Sequence, residues 1–410
     1  MQSVDTAREL MCAVVRPTAA ESVPLLEALG RTLAGELDAA RDQPPFRSSA
    51  MDGYAMRASD AALESLMVVG ESAAGRPYSS VLRAGEAARI FTGAALPDGA
   101  DVVIPQERTR RDGAVLFIEK GYQSASAHVR ALGADFRRGV RLVETGACLN
   151  ARDIALLAAA GIAHVAVRRR PRIALLATGT EIVNPGERAG PHQIFDSVTF
   201  GLAGLIDPWG GAPLRLGIAP DVETEVAKIA TRALEESDLL VIAGGASVGD
   251  YDVVKSALAR SGLRIAVPQV AVRPGKPTWF GAVNGKPVLG LPGNPIAAFV
   301  CAYLFLKPML RAYLGQPAVV AHARALLDGD VGESGANELY LRASCHLGTD
   351  ARLAVRALAN QDTSLVSVFA AANALIRRPA KSPRASSGEI VEILLLEERV
   401  PAHAAPSTEV

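Results

Sequence analysis

Between Arg172 and Gln316, apolar runs of strand length alternate with segments of helical period, and this rhythm constrains the fold more than any other feature of the chain. RIALLATG, PLRLGIAPD, DLLVIAGG and LRIAVPQVAV read as strands; IFDSVTFGLAGLI, VETEVAKIATRALEES and DYDVVKSALARSG read as helices. Strands joined through helices pair in parallel and carry helices on their faces, which predicts a doubly wound α/β sheet. One hairpin interrupts the rhythm, where TWFGAV and KPVLGL flank Asn284-Gly285. PIAAFVCAYLFLKPML closes the region as a helix with Pro295 in its first turn.

The flanking regions have other textures. Residues 3–15 place Val4, Ala7, Leu10, Met11, Val14 and Val15 on one helical face, and a second helix is expected at about Pro24–Ala34. DAARDQPPFRSSAMDGYA is extended and turn-rich. From there to about Arg141, LMVVG, EAARIFTG, DVVIPQE and AVLFIEK alternate with Gly, Pro and Asp turns, as in a small β domain. ARDIALLAAAGI reads as a helix capped by Asn150, and AHVAVRR as a strand. From about Pro317, β texture returns in ELYLRASCHL, RLAVRAL, ANALIRRP and EIVEILLLE. The chain is thus expected to be a multidomain α/β plus β protein. Residues 1–45 with 141–170 form a helical domain, 46–140 an inserted β domain, 171–316 the α/β domain and 317–398 a C-terminal β domain, with 399–410 a disordered tail.

Charge and cysteine usage exclude several functions. Lys+Arg equals Asp+Glu at 43 each, so no global basic field favours nucleic acid. Cys12, Cys148, Cys301 and Cys345 lie far apart, which argues against a disulfide framework or zinc ribbon and fits a reducing cytoplasm. Asp5, Arg8 and Glu9 stand where a signal peptide needs an apolar core, and the apolar segment 292–308 carries prolines. A soluble cytoplasmic protein with no membrane partner is expected.

In open α/β sheets, ligands bind beyond the carboxyl ends of the strands. Those ends carry Thr178, Gly179, Thr180 and Glu181; Asp221; Gly244, Gly245, Ser247, Gly249, Asp250 and Asp252; Arg273, Pro274, Gly275, Lys276 and Pro277; and Pro292, Gly293, Asn294 and Pro295. LLVIAGGASVGDYD offers free amides at a helix start for an oxyanion, with carboxylates beside them for a metal-bridged phosphate. Acids and bases on one edge suit a phosphorylated substrate, a divalent metal and a second anion. Each element also has a plain alternative. The Gly244–Gly249 loop can be a tight turn, RPGKP a solvated turn, Glu181 and Asp221 helix caps, and Asp52-Gly53 a hairpin turn. No Walker or G-x-G-x-x-G motif is present.

SSAMDGYA, FTGAALP, ATGTEI, FDS, GGASVGDYD, RPGKP and LPGNP occur in that order. Together they resemble the molybdopterin molybdenumtransferases, the family that includes the gephyrin E domain, from the N-terminal helix to about Glu398. The resemblance implies four domains: an elongated helical one, a β domain inserted in it, an α/β domain like the molybdopterin adenylyltransferases, and a C-terminal β-barrel-like domain. It also implies a homodimer with its active site at the subunit interface, and transient contacts with a molybdopterin adenylyltransferase and with molybdoenzyme acceptors. The implied reaction takes adenylylated molybdopterin and molybdate, inserts molybdenum and releases AMP with Mg²⁺.

By the same resemblance, Asp52, Glu181, Asp221, Asp252 and Lys276 are catalytic, with Asp221, Asp252 and Glu181 holding Mg²⁺. Thr92, Asp135, Thr178, Asp196, Gly244, Gly245, Ser247, Gly249, Pro277, Pro292 and Pro295 are substrate-binding. Arg273, Lys276 and Arg342 are implied to bind molybdate, a tetrahedral oxyanion that wants fixed cationic donors. The chain departs from the family pattern at Arg47, Ala134, Val198, Arg273 and Ala297. Two other functions fit parts of the pattern: adenylylation of molybdopterin, and a non-catalytic cofactor carrier or scaffold.

Overall fold

In a computed structural model, residues 1–122, 127–244, 253–348 and 351–396 are described. They fall into two compact units, one of Met1–Glu21, Gly30–Ala34 and Val167 onward, the other of Ser22–Leu29 and Gly35–Ala166.

The larger unit holds the α/β sheet. Its strands lie in the order Ala212–Ala219, Arg172–Thr178, Leu239–Ala243, Lys286–Leu291, Trp279–Val283, Leu263–Val267. The first four are parallel, with Ile173 beside Leu239 and Leu240 beside Val288. The apolar runs are continuous because both faces are covered. Ile173, Leu175, Leu239 and Val241 enter one core with the helices Val198–Ile206 and Pro295–Cys301. Ala174, Leu176, Leu240 and Ile242 enter the other, with Glu223–Glu236 and Val253–Arg260. The expected hairpin interrupts the parallel order. Asn284 (φ 51°) and Gly285 (φ 81°) turn the chain back, so Trp279–Val283 runs antiparallel to Lys286–Leu291. Leu263–Val267 then pairs antiparallel to Trp279–Val283 at the edge.

Pro295–Tyr313 is long and apolar enough to cross a bilayer, but 83% of its apolar window is buried, and it serves as the core helix. A widened π turn at Ala302–Leu306 precedes Pro308, whose ring cannot continue the regular hydrogen-bond ladder.

The same unit ends in a closed five-stranded barrel. Glu338–Leu347 pairs with both Leu353–Ala357 and Ala374–Arg378, and Ala323–Leu327 and Ile390–Leu395 complete the ring. Ala343, Cys345, Val355, Ile376 and Ile393 fill it. Val272–Arg273 adds in parallel to the Glu338 strand, with Arg273 beside Leu339. The RPGKP turn is thereby fixed to the barrel.

The smaller unit is built on a six-stranded sheet in the order Val102–Pro105, Gly53–Met56, Glu86–Ile90, Ser65–Ser72, Val115–Ile118, Thr109–Asp112. Asn150 caps Ala151–Ala159 through a capping box with Asp153, as expected. Two expectations fail. Only Leu25–Ala28 is helical in the stretch read as a second helix, because Pro24 holds extended backbone and Gly30 adopts positive φ. Asp52-Gly53 is not a hairpin turn. Gly53 opens a strand paired on both sides, where a Cβ would sit 2.1 Å from the Ile104 carbonyl oxygen.

Candidate functional site

Three strands of the α/β sheet end in contact with one another. The amide of Gly244 donates to the Leu291 carbonyl at 3.3 Å. Gly244 has φ +100°, and a Cβ there would stand 2.5 Å from the Thr178 carbonyl oxygen and 2.9 Å from its hydroxyl. A Cβ on Gly293 would meet Gly244 Cα at 3.4 Å. A side chain is thus excluded at Gly244, where the Leu239 strand finishes against the Arg172 strand, and glycine backbone lines the edge there and at Gly293. Thr178 is buried, and its hydroxyl has no hydrogen-bond partner among the described residues. A buried hydroxyl without a partner is costly, and a ligand oxygen can supply one.

Glu181 and Asp221 do not act as helix caps. Glu181 lies in a turn before a short strand, its carboxylate oxygens 2.8 and 2.9 Å from where a Gly179 Cβ would be. Asp221 accepts from the Thr180 amide at 3.3 Å, so the Asp221 carboxylate reaches the Thr178–Glu181 loop, while Val222 holds the cap position of the following helix. Among the described residues, no group of three or more His, Cys, Asp or Glu side chains gathers as a metal cage. Gly245, Ser247, Gly249, Asp250 and Asp252 lie outside the described residues.

Beside the barrel, Arg273, Pro274, Leu341, Arg342, Asp362 and Thr363 line a cavity of about 420 Å³. Arg342 is only 2% exposed. Its guanidinium donates one long bond among the described residues, 3.4 Å to the Asp362 carbonyl, and its Nε has no partner among them. Burial pulls its pKa down, opposed by the nearby Asp362 charge. A buried, underpaired guanidinium favours an anion. Gln361 fixes the Arg342 backbone, accepting from its amide at 3.0 Å and donating to its carbonyl at 2.9 Å. The Asp362 carboxylate turns to the amide and hydroxyl of Ser364, both at 2.8 Å.

The turn carrying Arg273 is fixed from the other side as well. Gly275 has φ +121°, and a Cβ there would lie 2.2 Å from Cys301 Sγ. Thr278 donates to that sulfur at 3.1 Å. Lys276 is exposed and absent from the cavity wall, so Arg273 and Arg342 converge without it. Pro277 is half-buried, Pro292 buried, and Pro295 is the first residue of its helix. Asn294 stands at that helix's cap position, yet its side-chain amide donates to the Thr363 hydroxyl at 2.8 Å. The LPGNP loop is thereby tied to the cavity wall.

Two expected residues have plain structural surroundings. Asp196 is buried, accepting from the Thr199 amide at 3.0 Å and hydroxyl, and from Arg215 at 3.3 Å, so its carboxylate starts a helix and holds an ion pair. Asp135 is exposed in the smaller unit, its amide donating to the Gln43 carbonyl at 2.9 Å. Also in that unit, Asp52 and Thr92 come together. Asp52 accepts from the Thr92 amide at 2.7 Å and hydroxyl at 2.8 Å, and these bonds hold its pKa below the ordinary carboxylate value. Gln361, Asp362 and Thr363 were missed by sequence reasoning. The polar run NQDTS between two barrel strands is their only signal, and it does not say which residues it faces.

Known proteins share this architecture. Residues 2–161 match the MoeA N-terminal region (domain I and II), 174–312 a probable molybdopterin binding domain, and 324–396 the MoeA C-terminal region (domain IV). A molybdopterin molybdenumtransferase of Nostoc sp. is 36% identical over 390 residues, covering 92% of this chain and 88% of the relative. One from Haemophilus influenzae is 32% identical, covering 96% and 98%. The crystal structure of the molybdopterin biosynthesis moea protein from Pyrococcus horikosii has a TM-score of 0.85 at 32% identity, over 97% of this chain and 99% of that one. With relatives this similar over nearly its whole length, the chain belongs to the molybdopterin molybdenumtransferase family.

Proposed function

We propose that this transferase of molybdenum cofactor biosynthesis inserts molybdenum from molybdate into adenylylated molybdopterin and releases AMP. The observation that carries the reading is the pairing of Arg273 with the nearly buried Arg342 on one cavity. A tetrahedral dianion matches two guanidinium groups in charge and in donor geometry. Both alternatives, adenylylation and carriage without catalysis, are not favoured, because the full-length relatives are molybdenumtransferases.

On this proposal the nucleotide's phosphates lie along the strand ends at Thr178, Gly244 and Gly293, where backbone is bare and one hydroxyl awaits a partner. Mg²⁺ commonly binds through one or two carboxylates plus substrate phosphates, and Glu181 and Asp221 fit that donor set. When bound there, the ion would neutralise charge on the cleaved phosphate link. Asp252, Ser247, Gly245 and Gly249 are proposed to complete the phosphate seat, and Lys276 to assist Arg273 and Arg342 with molybdate. The chain is further proposed to be a cytoplasmic homodimer of four-domain subunits. Asp52 and Thr92 of a partner subunit would complete the site, with transient contacts to a molybdopterin adenylyltransferase and to molybdoenzyme acceptors.

The test is AMP release from adenylylated molybdopterin on adding molybdate. Release that depends on molybdate is expected. Tight binding of both compounds without release would overturn the reading.

A further inference from the structure

Asp362 is an acid on the wall of a cavity whose cations, Arg273 and Arg342, suit an anion. An ion pair between Asp362 and Arg342 would cancel one of those two charges. The two groups are close enough to form it. The Arg342 guanidinium donates to the Asp362 carbonyl at 3.4 Å, and the charge of each group acts on the other. The Asp362 carboxylate is only a few bonds from that carbonyl, so a change of χ1 rotamer moves it toward the guanidinium. Among the described residues, however, its hydrogen bonds run elsewhere. Oδ1 accepts from the Ser364 amide and from the Ser364 hydroxyl, both at 2.8 Å.

The main chain here is fixed by other contacts. Asn360 Oδ1 accepts from the Asp362 amide at 2.9 Å. Gln361 Nε2 donates to the Leu358 carbonyl at 2.7 Å as well as to that of Arg342. The Thr363 carbonyl accepts from the Ile296 amide at 3.2 Å, and its hydroxyl from Asn294 at 2.8 Å. These bonds set the path of the backbone through 360–363 and leave the direction of the Asp362 side chain to Ser364. Ser364 itself is exposed and absent from the cavity wall. Its amide and hydroxyl also hold the Asp362 pKa below the ordinary carboxylate value, so the acid stays charged at neutral pH and able to compete.

We propose, on the reading of this cavity as the molybdate site, that Asp362 is a built-in competitor for Arg342 and that Ser364 is the positioning residue that holds it aside. A carboxylate swung onto Arg342 would offset part of the cost of burying that cation, so the paired arrangement has a driving force of its own. Apparent affinity for the oxyanion then falls with the fraction of molecules in which Arg342 is left open. Ser364 keeps that fraction high without touching the anion or either arginine.

The experiment is a double-mutant cycle on the full-length protein, read by calorimetric titration with molybdate. Ser364→Ala removes the hydroxyl bond and should weaken binding about three- to tenfold, the net worth of one hydrogen bond. Ser364→Thr keeps the hydroxyl and should bind as the wild type does. Asp362→Asn removes the competing charge and should bind molybdate more tightly than the wild type. In that background Ser364→Ala should have no effect. A loss of the same size in the Asp362→Asn background would show that Ser364 only shapes the turn, and would overturn the proposal. So would an unchanged affinity in Ser364→Ala while Arg342→Gln still loses binding. Wild-type affinity in Arg342→Gln would instead remove the molybdate reading of the cavity, and the role of Ser364 with it.

Discussion

Arg342 is a cation in a place that offers it almost no water and, among the described residues, one long hydrogen bond. Such a group is costly in the empty protein and useful once an anion arrives. Replacing it by Gln should weaken molybdate binding about ten- to hundredfold, the size of a lost charged hydrogen bond. The melting temperature should hold or rise, because a buried charge has been removed. Calorimetry with molybdate and a thermal melt together check this; a fall in both would mark Arg342 as merely structural. Asp52 makes the opposite case, a carboxylate kept anionic by the Thr92 amide and hydroxyl. If the anion is the working form, Thr92→Val removes one of those bonds and raises the Asp52 pKa. The acid limb of the AMP-release profile should then move to higher pH, and an unmoved limb would remove Asp52 from the chemistry. The individual residues were unevenly legible. Arg273 announced itself in a proline-stiffened turn, whereas Gln361 and Thr363 become site residues only because the barrel carries them there. Asp196 was legible as an acid and not as a helix-starting ion pair, since Arg215 lies 19 residues away.

At the scale of elements, the strands of the α/β sheet were readable because burial on both faces demands unbroken apolar runs. The sheet's direction was less so, because a hairpin turn fixes only its own two strands. The stretch after Pro24 looked helical by apolar spacing, and its proline and glycine phases won over that spacing. Glycines at the strand ends were visible as turns, but their close contacts were not. Gly244→Ala tests this difference. It combines a positive φ with a 2.5 Å approach to the Thr178 carbonyl, while Gly262 shares the positive φ (+87°) with only a 3.7 Å contact to Asn284 Oδ1. Gly262→Ala should cost about 1 kcal/mol of stability from backbone strain. Gly244→Ala should cost about 1–3 kcal/mol more from overpacking, and should also abolish AMP release. Urea unfolding of both variants measures the difference, and equal costs would mean the strand ends yield freely.

Across the larger unit, distant segments are tied at one point. Arg169 grips Asp238 with two bonds of 2.9 Å, and the Arg172 amide donates to the same carboxylate at 2.7 Å. Tyr313, at the end of the core helix, donates to the Asp238 carbonyl at 2.7 Å. The Thr18 hydroxyl donates to the Arg169 carbonyl at 2.6 Å. The N-terminal segment, the first strand of the α/β sheet, the start of its central strand and the core helix all meet there. None of this was legible beforehand, because Arg169 and Asp238 stand 69 residues apart and each reads alone as a surface charge. Burial pushes the Asp238 pKa up, but the hydrogen bonds from Arg169 and the Arg172 amide outweigh it, and the net shift is downward. A depressed folded-state pKa means a contribution present above the unfolded carboxyl pKa, roughly 3.9, and lost as pH falls through the lower folded value. Asp238→Asn should therefore cost about 1.5–3 kcal/mol at neutral pH, the range for hydrogen bonds to a charged group. The gap between the two unfolding curves should stay constant down to about pH 5 and narrow below about pH 4. A gap that persisted undiminished into the acid range would show that the side chain acts by shape rather than by charge.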